Sequence, residues 1–190
     1  MRTRWLLVLL GLLCIGQWSV PGALILKHQR TLSDGTAYAF RTAPVDPEDP
    51  FRGRYVALDF AAAERAATST APLPHDVPLY AAITVDAQGF AQLGEPASTP
   101  PAQGDWLPVR VTWQGEGRVR LQLPFDRFYL DEALAPEAER RYREADQGPA
   151  SRADATYVMV RVRDGHAVIE MLYLNGRPVH VDLAGAIAGR

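Results

Sequence analysis

The chain has 190 residues, 47% of them hydrophobic and 22% charged, with 15 prolines, 15 glycines and a formal net charge of -2. This is enough for one domain with a substantial core plus an appendage, and the mild acidity argues against the basic stripe that nucleic-acid binding needs. The single cysteine, Cys14, lies inside an apolar N-terminal run, so the rest of the chain has no internal disulfide, zinc-thiolate centre or cysteine nucleophile.

Residues 5–26 carry no charge and one Gln, and they are flanked by Arg2 and Arg4 on one side and by Lys27, His28 and Arg30 on the other. At about 1.5 Å per residue such a helix spans roughly 33 Å, the thickness of a hydrocarbon core. A cleaved signal peptide would have a shorter core followed by a small-x-small site. Here Pro21 stands third before a cut after Ala23, and the apolar run resumes at Leu24, so a retained anchor is favoured. Cys14 follows Leu12 and Leu13 rather than the small residues of a lipid-attachment signal, and reads as a buried thiol. Arg2, Arg4 and the free terminus favour an inside N-terminus, a bias that Lys27 and Arg30 partly offset. The expected organisation is an anchor over residues 1–27, touching the bilayer through residues 5–26, and an extracytoplasmic domain over residues 28–190. A cysteine-free domain suits an oxidising space. Lys27 is the only lysine, and from His28 onward 17 basic residues face 22 acidic ones, a net charge near -5, so no nucleic-acid partner is expected.

After a turn at Ser33-Asp34-Gly35, residues 36–42 alternate as a first strand. A stiff acidic loop follows, with Pro44, Pro47 and Pro50 around Asp46, Glu48 and Asp49, ending in Arg52-Gly53. The strand after it puts Val56, Leu58 and Phe60 on a core face with Arg54, and Tyr55, Ala57 and Asp59 on the other. Residues 61–70 read as a surface connection. Residues 79–85 form a strand to which 90–93 returns antiparallel, and 94–104 is loop. Residues 107–113 and 118–123 form an amphipathic hairpin with Val109, Val111 and Trp113 on the inner face with Val119, Leu121 and Leu123. Residues 125–130 are extended and aromatic, and a helix is expected over 136–146, with Pro136 at its first position and Gly148-Pro149 after it. Residues 155–163 and 166–174 flank Asp164-Gly165, a type I′ hairpin signal. That register groups Val158, Val160 and Val162 with Ala167, Ile169 and Met171, and sets Arg161 diagonal to Glu170. Asn175-Gly176 offers a second tight turn. The fold class expected is mainly β, or strand-dominated α+β: an antiparallel sandwich or open barrel with one short helix, preceded by a transmembrane helix.

The segment from Pro44 to Phe60 resembles the GDYXXLXY family of bacterial membrane-anchored proteins of unknown function. The signature maps onto Gly53, Arg54, Tyr55, Leu58 and Phe60, and further support comes from Phe128-Tyr129-Leu130-Asp131-Glu132 and from the hairpin running to Asn175-Gly176. Arg54 stands where the motif has aspartate and Phe60 where it has tyrosine. The resemblance implies an anchored domain on the periplasmic side of a bacterial inner membrane, working with a polytopic membrane protein, and it implies no reaction.

The candidate interaction or structural-motif residues are Asp46, Asp49, Arg52, Gly53, Tyr55, Leu58, Phe60 and Glu132. Gly53 suits a corner needing positive φ or close backbone approach, and Arg52 can pair with Asp46 or Asp49. Asp46, Glu48 and Asp49 lack the glycine and asparagine bends of a calcium loop, and read as turn-capping or paired acids. The four histidines are scattered, no serine lies in a nucleophile elbow, and no glycine-rich phosphate loop follows a strand. No catalytic residue, metal ligand or cofactor is therefore assigned. The functional expectation is an accessory or interaction module. The alternative is a hydrolase or carbohydrate-binding domain gathering Asp46, Asp49, Tyr55 and Glu132 into one pocket.

Overall fold

A computed structural model describes residues 2–43, 55–66, 73–74, 77–129, 156–174 and 176–179. Its first element is α1, Arg2–Asp34, with Pro21 inside it. Leu9, Leu12, Ile15, Trp18, Ile25 and Leu26 stand exposed around the helix. A helix apolar on every side is one that water does not solvate well, and by length and composition α1 is able to cross a membrane. The helix does not stop where the charges begin. It continues through Lys27 to Asp34, so the turn expected at Ser33-Asp34 is helical, and Gly35 is the bend. The Gly35 N–H donates to Thr31 O at 3.0 Å, and a Cβ at position 35 would run into that same carbonyl.

Among the described residues, two five-stranded antiparallel sheets and a two-stranded ribbon follow. The first sheet runs in the order β12, β11, β10, β1, β3, made of Arg177–Pro178, His166–Leu174, Tyr157–Arg163, Thr36–Ala43 and Asp59–Phe60. The second runs in the order β4, β8, β7, β5, β6, made of Glu64–Ala66, Arg118–Gln122, Trp106–Gly115, Leu79–Val85 and Ala91–Leu93. The ribbon pairs β2, Tyr55–Ala57, with β9, Arg127–Tyr129. A bridge between Ala39 and Phe90 brings β1 beside the β5–β6 turn, so the two sheets share a seam. The mainly β fold expected from the alternating segments is what the chain adopts.

Alternation explains most of the core. Phe40 on β1 and Val158, Val160 and Val162 on β10 are buried opposite Leu107 and Val109 on β7 and Val119 and Leu121 on β8. The rings of Phe40, Phe60 and Phe125 meet edge to face at the seam, with centroids 5.2 to 6.2 Å apart. The hairpin turns follow their local chemistry. Asp164 and Gly165 both have positive φ, 49° and 71°, as do Glu116 and Gly117, 50° and 71°.

Four expectations are corrected. The strand after the acidic loop is two short strands: β2 pairs with β9, the Leu58 N–H donates to Asp126 O at 2.9 Å, and β3 then pairs with β1. One run of chain thus serves two sheets, which period-two alternation cannot reveal. Within residues 61–70, a 3-10 turn, Ala61–Ala63, buries Ala62 and Ala63, and β4 pairs with β8, so this stretch is more than a surface connection. Trp113 is 45% exposed rather than inward. The register shifts between Val111 and Trp113, and one extra residue reverses the side-chain phase. Gln114 then accepts a hydrogen bond from Leu73 N at 2.8 Å. A second shift, opposite Met159 and Val160, leaves Glu170 without a partner in the ladder. Met171 consequently faces Met159, while Leu172 and Leu174 are the buried residues. The helix expected over 136–146 lies outside the described residues.

Candidate functional site

The last turn of α1 contains no basic residue and ends in Asp34, an arrangement that leaves the negative end of the helix dipole uncompensated. The compensating cations come from β10. Arg161 Nη1 donates to Gly35 O at 3.1 Å, and Arg163 Nη1 donates to Asp34 Oδ2 at 2.7 Å. Arg161 is itself held by Glu170, Nε to Oε2 at 2.7 Å and Nη2 to Oε1 at 3.3 Å. That two-point contact raises the guanidinium pKa further above its ordinary value. The unpaired position of Glu170 in the β11 ladder is therefore where the clamp closes. The diagonal Arg161–Glu170 pair expected from the hairpin register is present, and it holds the guanidinium that reaches the carbonyl just past the helix.

The same contact area carries two imidazoles. The rings of His28 on α1 and His166 on β11 lie 5.9 Å apart, edge to face. His166 Nε2 is buried with no hydrogen-bond partner among the described residues. Its pKa is pushed down, first by burial and then by the positive charges of Lys27 and His28. Thr31, almost fully buried, donates to Lys27 O at 3.0 Å and keeps the final turn regular. Behind the hairpin tip, the Trp106 ring lies where a Cβ on Gly165 would go. A cleft of about 370 Å³ lies between His28, Phe128 and Ile169. Among the described residues no group of three or more His, Cys, Asp or Glu side chains is placed to hold a metal ion.

At the seam, Asp86 accepts hydrogen bonds from Phe90 N at 2.8 Å, Gln88 N at 3.0 Å and Arg41 Nη1 at 2.6 Å. The Phe90 amide first, then Arg41, hold its carboxyl well down, to about 2. The Arg41 guanidinium lies 3.9 Å from the centroid of the Phe90 ring. Tyr157 meets Phe90 edge to face and stacks on Tyr173 at 4.7 Å. This cluster joins β1, β10 and β11 to the β5–β6 turn.

Of the candidate residues, Leu58 and Phe60 are core side chains, 6% and 4% exposed. Tyr55 lies in β2 with Tyr129 as its backbone partner, so two of the segments that carry the family resemblance are neighbours in space. Asp46, Asp49, Arg52, Gly53 and Glu132 lie outside the described residues, as does the acidic loop. Sequence reasoning missed the junction of α1 with the hairpin. A usable signal was present, because positions 23, 26, 27, 30, 31 and 34 continue one helical face past the end of the apolar run.

A helix long and apolar enough to cross a membrane, running directly into a strand-rich domain, is the class of architecture that the described residues define. Within it the family is specific: the family model for GDYXXLXY protein matches residues 17–172, and the chain belongs to that family, whose function is unknown. No curated protein matches the chain, and no solved structure does.

Proposed function

We propose that the chain is a single-pass protein anchored by α1 in a bacterial inner membrane, with its strand-rich domain on the periplasmic side serving as an accessory module for a polytopic membrane partner. The observation that carries this reading is the clamp at the end of α1. Eight residues beyond the apolar run remain helical and are tied to β10 by Arg161 and Arg163. A domain on a flexible tether would sample a wide volume. A domain clamped to its anchor presents a constant face at a constant height above the bilayer, which suits engagement of a neighbour in the same membrane.

Purification of the tagged full-length chain in mild detergent, after brief crosslinking in cells, is expected to recover a polytopic membrane protein in fixed ratio. Recovery of the chain alone would overturn the partner. An alkaline phosphatase fusion at the C-terminus is expected to be active, and an inactive fusion of normal abundance would overturn the side of the membrane.

A further inference from the structure

Ala23, Leu26, Lys27, Arg30 and Thr31 lie at i, i+3, i+4, i+7 and i+8, on one face of α1. That face looks across an open cleft of about 310 Å³ at Arg163 and Asp164 on the hairpin tip. One end of the cleft is apolar, with Leu26 55% exposed, and it sits where the uncharged run finishes. The other end is cationic and lies about one helical turn, roughly 5 Å, further along the axis. Arg163 is fixed at the rim by its 2.7 Å contact with Asp34, and Asp164 lies 3.6 Å from it. Lys27 and Arg30 have no carboxylate partner among the described residues. This concentration of positive charge is an exception in a chain whose residues from His28 onward are net acidic, and it occurs at the level where the helix would leave the bilayer.

We propose that this cleft binds the headgroup of an anionic phospholipid, with the phosphate held by Lys27, Arg30 and Arg163 and the acyl chains running down past Leu26 and Ala23. The proposal rests on the reading of α1 as a membrane anchor. The apolar end is what distinguishes a lipid from a free phosphate, which would use only the cations. Because the site spans α1 and the β10–β11 hairpin, its occupation ties the domain to the helix and resists unfolding of the hairpin. The cations at the rim also give the otherwise acidic domain one point of attraction to an anionic surface.

The test uses the full-length protein reconstituted into phosphatidylcholine vesicles with and without about 30 mol% phosphatidylglycerol. The protein should float with both vesicle types. Phosphatidylglycerol should raise the melting midpoint of the domain by roughly 3–6 °C. The double variant Lys27→Gln, Arg30→Gln should lose that rise while melting as the parent does in phosphatidylcholine alone, and native mass spectrometry of the parent should show preferential retention of phosphatidylglycerol. Flotation with both vesicles but no difference in melting or in retained lipid overturns the headgroup site and leaves the anchor standing. Failure to float with either overturns the anchor and the headgroup site together. Equal stabilisation by glycerol phosphate in solution overturns the lipid and leaves a free-phosphate site.

Discussion

The seam between the sheets and the junction between helix and hairpin both join elements far apart in the chain, with opposite chemistry. At the seam, Phe40, Phe60 and Phe125 interlock, and the Arg41–Asp86 pair beside them is only about one-fifth exposed, 20% and 19%. At the junction the ties are polar: Arg161 to Glu170 and Gly35 O, and Arg163 to Asp34 with side chains 41% and 58% exposed. Burial of apolar area is non-directional and scales with area, whereas exposed ion pairs add little stability but are geometrically selective. The seam therefore holds the domain together, and the junction sets the angle at which the domain stands on its helix.

Removing a ring from the seam should have the largest effect. Phe40 is fully buried and touches both other rings, so Phe40→Ala should cost about 3–5 kcal/mol, measured by urea unfolding in detergent. A loss below about 1 kcal/mol would show that the seam is loosely packed. Next comes Asp86. Its folded pKa, about 2, lies below the ordinary carboxyl value of 3.8. The stabilisation it gives is thus present above the unfolded value and lost as pH falls through the folded one. Asp86→Asn should lower the melting midpoint at neutral pH and flatten the acid limb between about pH 5 and 2. An acid limb identical to that of the parent would remove Asp86 as its cause.

The two regions also differ in how far the sequence discloses them. Phe40, Val158, Val160, Leu107 and Val109 follow from alternation, and the Asp164-Gly165 and Glu116-Gly117 turns follow from residue chemistry. What alternation hides is a single extra residue. The irregularities at Thr112 and Glu170 reverse the phase for Trp113 and Met171, and nothing local in the sequence announces either one. The switch of strand partner at Leu58 is hidden for the same reason. The junction is hidden differently, because Asp34 and Arg163 are 129 residues apart and each reads singly as a surface charge. As for the family signature, Leu58 and Phe60 belong to folding, and Tyr55 is placed only through its backbone partner Tyr129.

If the junction orients rather than stabilises, Arg161→Gln should move the melting midpoint less than Asp86→Asn does. Its main effect should be on geometry. Spin labels on the exposed face of α1 and on β8 should give a narrow distance distribution in the parent and a broad one in the variant. A distribution that stays narrow would mean that the buried Thr31 and the packing of α1 on β10 and β11 hold the helix without the clamp.

The smallest expected effect belongs to His166. Its folded pKa lies below the ordinary 6.5, because burial and the positive charges of Lys27 and His28 disfavour the imidazolium, and its ladder partner across the turn is Arg163, a further cation. The unfolded chain therefore takes up this proton at a higher pH than the folded one. Stability is fully present above the unfolded pKa and declines as pH falls through about 6.5 and on past the folded value. His166→Gln should remove that slope while leaving stability at pH 8 within about 0.5 kcal/mol of the parent. Label distances in the parent should begin to broaden over the same interval, since a second charge beside His28 and Lys27 pushes the helix from the hairpin. Broadening that persists unchanged in the variant would assign the response to another group.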